Sequence, residues 1–110
     1  LRDLVARGKA GTLANGDLRG GTFTLSNVGM IGGTYLSPVV VSSEVCIGAI
    51  GRVQRLPRFE GDSDRVVACH ILVTSWAADH RVVDGATMAR FATLYKSLLE
   101  QPELMMARMK

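Results

Sequence analysis

The sequence predicts an α/β fold, an α+β arrangement of two layers. Three observations point there. Short alternating or apolar runs fill the first two thirds of the chain, a helical period then runs from Met88 to Leu99, and glycine-rich or polar stretches separate the runs. Strands come first and the main helix follows, so a sheet is expected to lay one face against that helix.

At the start, Leu1, Leu4 and Val5 are spaced as the end of an amphipathic helix that began upstream, and Gly8 and Gly11 stop it. Residues 9–20 form a loop rich in Gly, Asn and Asp. Thr22–Ser26 alternates and is β-branched or aromatic, which reads as a short strand. Gly29, Gly32 and Gly33, followed by Pro38, mark an irregular loop. Val39–Val41 is expected as a short strand and Glu44–Ile50 as a stronger one, with Gly48 and Gly51 as bulge positions. Arg52–Leu56 continues extended until Pro57 ends it. Glu60–Asp64 is a polar turn. Arg65–Trp76, apolar at nearly every position, is expected to be a central strand with both faces covered.

Ala77–Val83 is a connection. After it Met88, Phe91, Ala92, Tyr95, Leu98 and Leu99 form one face of a helix. Pro102 stops that helix and opens a short last one, with Met105, Met106 and Met109 on its apolar side.

Composition excludes several classes. The chain is 47% hydrophobic and 21% charged, so it can bury a core and is not a disordered segment. No apolar run approaches the ~20 residues of a membrane-spanning helix. A net charge of +3 and 5% aromatic content argue against a nucleic-acid platform. The one loose basic cluster, Arg52, Arg55 and Arg58, suits at most an anionic small ligand. Cys46 and Cys69 have no metal or redox spacing and are expected as buried free thiols, with a reducing compartment following weakly. A chain that opens at Leu1 with the tail of a helix is expected to be a piece of a longer protein.

Asp79-His80-Arg81-Val82-Val83-Asp84-Gly85 is the stretch richest in chemistry. A histidine between two acids lies after a strand and before a helix, where both elements hold it rigid. Imidazole, with an ordinary pKa of ~6.5, suits proton exchange near neutrality. Asp84 also suits the helix N-cap, and Asp79 with Arg81 suits a surface ion pair. His70, inside the long strand, is expected as a core histidine. Two histidines ten positions apart lack the company of further ligands, so no metal site is assigned. Ser26, at a strand end beside the glycine-rich loop, is placed to donate a hydrogen bond to an oxyanion. Neither a P-loop nor a Gly-x-Ser-x-Gly elbow occurs.

The run His80–Gly85, with Asp79 before it and Ala86 after, resembles the signature of the dihydrolipoamide acyltransferases. These are the core subunits of 2-oxo acid dehydrogenase complexes. Gly21–Asn27 with Gly29, and Ile31–Thr34 followed by Pro38 and Glu44-Val45, agree in order and separation. The resemblance therefore covers nearly the whole chain. Ser75–Arg81 and Leu56–Phe59 are most similar to the branched-chain member. Ser42-Ser43 departs from a proline common in the family.

The resemblance implies the chloramphenicol-acetyltransferase fold, with residues 1–110 as the C-terminal half of the catalytic domain. The lipoyl and peripheral-subunit-binding domains lie outside this chain. It implies acyl transfer, branched-chain of the 2-methylpropanoyl type, from dihydrolipoamide to coenzyme A. His80 is then the general base, Ser26 the oxyanion donor, and Asp84 an essential group that does not itself transfer a proton. Ser26, Asn27, Gly51 and Val53 are the expected coenzyme A contacts. The implied partners are a homotrimer built into a larger cage, and the decarboxylase and dihydrolipoamide dehydrogenase subunits. The implied location is the mitochondrial matrix, or the cytoplasm of a bacterium. An acetyl or succinyl relative, a non-catalytic core subunit and an antibiotic acetyltransferase are the competing readings.

Overall fold

Two apolar runs joined by a short polar turn fold into the hairpin that organises the molecule. The computed structural model describes residues 1–109. It places α1 at Arg2–Lys9, β1 at Thr24–Asn27, β2 at Cys46–Phe59, β3 at Val66–Ala78, α2 at Gly85–Glu100 and α3 at Pro102–Arg108. Single 3-10 turns lie at Asn15–Leu18 and Gly29–Ile31.

β2 and β3 pair antiparallel from Cys46↔Ala78 to Phe59↔Val66. The turn between them is closed by the Glu60 N–H donating to the Arg65 carbonyl at 2.9 Å. Gly61 there has a φ of 56°, a left-handed value that suits glycine. β1 pairs parallel to β2 from Thr24↔Ile47 to Asn27↔Ile50, which gives a mixed sheet of order β1-β2-β3.

The register sorts side chains between the faces. Leu25, Gly48 and Trp76 form a row on one face, and Ser26, Ala49 and Ser75 a row on the other. Trp76 lies flat over Gly48, where a Cβ would stand 2.3 Å from the indole. The same indole meets Phe91 edge-on at 5.1 Å and Tyr95 at 4.9 Å, which seats α2 on its face of the sheet. Phe23 joins this cluster at 6.4 Å from Trp76. Such aromatic pairs add ~0.5–1.5 kcal/mol each beyond their burial.

The enclosed core is small. Ile47 and Ala49, 6% and 3% exposed, are the buried apolar residues among those described. The radius of gyration is 17.3 Å, against ~13 Å for a compact 100-residue domain. The longest extent is 55 Å, and Leu104, Met105, Met106 and Met109 at the C-terminal end of the described residues stay exposed.

Several sequence expectations change. Val39–Val41 is no strand, because it has no neighbour to pair with; Val39 and Val41 are solvent-exposed. β1 starts at Thr24 rather than Thr22. Pro57 does not end β2 but pairs with Ala68. Beyond Ile50 that strand has a partner on one side only, so a missing N–H costs no ladder bond. Gly51 does sit at the irregularity between Ile50 and Val53, whereas Gly48 pairs regularly and makes room for Trp76.

β3 is an edge strand, not a central one; β2 is central. A continuous apolar run signals covered faces but does not reveal whether both edges are paired. His70 is exposed rather than in the core, opposite Arg55 at the outer part of β3. Cys46 and Cys69 are free but only half-buried. Burial pushes the Cys46 thiol pKa up, which favours its protonated form. α2 carries its expected apolar face and Pro102 opens α3, but Gly8 lies inside α1, which ends at Lys9, and Met109 lies just past the end of α3 at Arg108.

Candidate active site

His80 sits in the turn that leads from β3 into α2, and that turn is tied down on all sides. At its start the Asp79 N–H donates to the Val45 carbonyl at 2.8 Å, anchoring it to the beginning of β2. Asp79 then folds the turn over itself. Its carbonyl accepts from the N–H groups of Val82 and Val83, each at 3.0 Å. Its carboxylate accepts from the Arg81 N–H at 3.0 Å, and from Arg81 Nε and Nη2 at 3.0–3.1 and 2.6 Å. A bidentate pair of this kind fixes direction as well as distance. His80, between these two residues, is held at the surface with its ring exposed.

The turn's other end is fixed by Asp84. Its Oδ1 accepts from the Thr87 N–H at 2.6 Å, capping α2. That hydrogen bond lowers the Asp84 pKa, with the nearby His80 charge a lesser cause. Asp84 is therefore an ionised helix cap, four positions along the chain from His80.

The Arg81 guanidinium pulls the Asp79 pKa from 3.8 down to about 2. A depressed carboxylate pKa stabilises the native turn fully above the unfolded value, and the contribution is lost as pH falls toward the native one. Replacing Asp79 by Asn should therefore lower the melting temperature equally at pH 5 and pH 7. The deficit should shrink only below pH ~4. A deficit already gone at pH 5 would contradict the ion pair.

Ser26 lies in β1, half-buried, on the face away from α2. The loop after it is docked tightly on β2. Asn27 Oδ1 accepts from the Gly29 N–H at 3.1 Å, and the Val28 N–H donates to the Ile50 carbonyl at 3.1 Å. A Cβ on Gly29 would meet the Gly51 carbonyl at 2.5 Å, and one on Gly51 would meet the Thr34 carbonyl at 2.4 Å. Arg52 secures the same loop, its N–H donating to the Gly33 carbonyl at 2.8 Å and its Nε to Thr34 Oγ1 at 3.1 Å. Ser26, Asn27 and Gly51 are thus brought together. The absence of a side chain at Gly51 is accounted for by this loop, which already fills the space. Val53 follows the bulge and is 60% exposed.

His80 and Ser26 do not meet within the chain. Ser26 aligns with Ala49 and Ser75, whereas the His80 turn lies beyond the Val45 level, four positions along and two strands across. At ~3.4 Å per residue and ~4.8 Å per strand, the separation is roughly 17 Å or more. A base and an oxyanion donor acting on one carbonyl must each approach to about 3 Å.

Sequence reasoning missed one contact. Thr24 Oγ1 donates to Glu44 Oε2 at 2.5 Å, across from β1 to the start of β2. A signal was present: Glu44 is the sole acidic residue between Asp17 and Glu60.

The fold is thus a mixed three-stranded sheet with one helical layer, which presents His80 in a locked turn before a capped helix and Ser26 on a clamped edge strand. The chain belongs to the 2-oxoacid dehydrogenase acyltransferase (catalytic domain) family, whose model matches residues 1–107. It is 53% identical over 110 residues to the mouse (Mus musculus) lipoamide acyltransferase component of the branched-chain alpha-keto acid dehydrogenase complex, mitochondrial. The match takes in 100% of this chain and 23% of that relative, so the chain spans less than a quarter of its length.

Among solved structures, it superposes on Azotobacter vinelandii dihydrolipoamide acetyltransferase with a TM-score of 0.87 and 30% identity, covering 96% of this chain and 42% of that one. The same values hold for the cubic core of the pyruvate dehydrogenase multienzyme complex.

Proposed function

We propose that this chain carries both halves of an acyl-transfer site, each half completed by a neighbouring copy. The enzyme is a dihydrolipoyllysine-residue acyltransferase that moves a branched acyl group from dihydrolipoamide to coenzyme A. The observation that carries the reading is the pair of rigid presentations, His80 in its locked turn and Ser26 on its clamped strand, in a chain of this family. The Azotobacter study concerned the role of a serine, a histidine and an asparagine in that enzyme's mechanism. Its histidine and asparagine are separated by the same four positions as His80 and Asp84.

In this mechanism His80 takes the proton from the coenzyme A thiol, which at an ordinary pKa of ~8.5 is mostly protonated at neutral pH. The thiolate attacks the thioester carbonyl of the acylated dihydrolipoamide, and its π electrons move onto oxygen. Ser26 donates a hydrogen bond to that oxyanion. Collapse breaks the old C–S bond, and the departing dihydrolipoamide sulfur recovers the proton from His80. Asp84 holds the turn and the helix start. Asn27 and Val53 line the coenzyme A side, and Gly51, buried beneath the loop, lets that loop pack against them. The lipoyl group arrives on a domain outside this chain.

The roughly 17 Å or more between Ser26 and His80 requires a second copy, because a single chain leaves each residue alone. The small enclosed core and the exposed apolar helix α3 give surfaces for such contacts. We take residues 1–110 as the C-terminal part of the catalytic domain, in a trimer built into a larger cage; likeness to a cubic core supports a symmetric assembly. The decarboxylase and dihydrolipoamide dehydrogenase subunits are its partners in the complex. Likeness to the mouse protein supports the mitochondrial matrix and the branched acyl group.

Acyl preference tests the substrate. With full-length protein, 2-methylpropanoyl-dihydrolipoamide should be favoured over acetyl-dihydrolipoamide by at least ~10-fold in kcat/KM, the scale of one or two methylenes in an apolar pocket. A preference for acetyl would overturn the branched-chain assignment.

A further inference from the structure

β1 is the weakest support in the site. It has four residues, lies at the sheet edge and, among the described residues, pairs with β2 alone. Ser26 is its third residue, so any slippage or fraying moves the hydroxyl. One end of the strand is clamped by the Val28–Ile50 hydrogen bond and the Gly29–Gly51 contact. The other end carries a single side-chain tie, the Thr24 hydroxyl donating to Glu44 Oε2 at 2.5 Å. Both partners are half-buried. The other carboxylate oxygen lies over Gly21, where a Cβ would come within 2.5 Å of Oε1. Glu44 is thus lodged between the approach to β1 and the strand itself. Its own backbone is set by a turn, the Glu44 N–H donating to the Val41 carbonyl at 2.8 Å.

We propose that Glu44 is a positioning residue for Ser26. Through Thr24 it holds β1 in register, so that the serine hydroxyl meets the oxyanion at the required distance. The inference rests on the reading of Ser26 as oxyanion donor. A charge-assisted hydrogen bond is stronger than a neutral one and more directional, which suits a tie on a short edge strand. The next residue, Val45, anchors the His80 turn through its carbonyl. Residues 44 and 45 therefore bind the supports of both reactive groups to the start of β2.

The test is a mutant cycle in the full-length, assembled protein, reading kcat and the KM for coenzyme A. Glu44→Ala and Thr24→Val should each lower kcat by about 10-fold while KM changes less than about 3-fold, because the loss falls on the transition state. Glu44→Gln, which still accepts the Thr24 hydrogen, should recover most of the rate. In a Ser26→Ala background, Glu44→Ala and Thr24→Val should cost no further rate, since the hydroxyl they position is gone. A further 10-fold loss in that background would overturn the inference and leave Ser26 in place. So would an unchanged kcat in Thr24→Val, which is nearly isosteric and preserves the fold. If Ser26→Ala alone leaves kcat unchanged, the oxyanion reading fails first and Glu44 with it.

Discussion

Replacing His80 with alanine in the full-length protein should lower acyl-CoA formation by ~10²–10⁴-fold, the usual contribution of a positioned general base. The fold should survive. His80 is exposed, and the turn around it is held by Asp79, Arg81, Asp84 and the backbone, none of which uses the imidazole. Steady-state turnover with a thermal melt distinguishes the outcomes. Unchanged turnover would remove His80 from the mechanism. His70→Ala is the control: His70 is exposed, opposite Arg55 near the outer end of the hairpin, so both turnover and melting temperature should hold. Lost turnover in a stable His70→Ala protein would mean that the base is the other histidine.

Ser26→Ala should lower kcat by ~10²–10³-fold, the cost of losing one oxyanion donor, with little change in the KM for coenzyme A. The oxyanion exists only along the reaction path, so ground-state binding does not register the hydroxyl. Stability should also hold, because β1 is kept in place by Thr24, Val28 and Gly29 on either side of the serine. A serine that served only the fold would give the reverse, normal turnover with a lower melting temperature.

Legibility in the sequence followed the range of the forces involved. α2 and its cap were readable because Met88, Ala92, Tyr95 and Leu98 repeat at helical spacing and Asp84 stands at the start. The hairpin was readable in the Glu60–Asp64 turn, and the bulge in Gly51. Strand order was not. The apolar run of β3 reports covered faces, but whether an edge is paired depends on segments distant in sequence. The same gap misplaced His70, whose neighbours Cys69 and Ile71 suggested a core. Pro57 reads locally as a stop, because local rules do not register that β2 is paired on one side there. In the candidate site, His80, Asp84 and Ser26 were visible from their motifs. The clamp at Glu44 was not, since its partner Thr24 is twenty positions away.

Co-assembly of two inactive variants tests the shared site most directly. His80→Ala and Ser26→Ala proteins, mixed in equal amounts, unfolded and reassembled together, combine at random within each trimer. If one copy supplies the base and its neighbour the oxyanion donor, about a quarter of the sites join an intact His80 to an intact Ser26. Activity should return to about that fraction of the unaltered protein. If both residues served a site within one chain, every site would carry one defect. Activity would then stay at the level of the separate variants, and the account of a site divided between copies would be wrong.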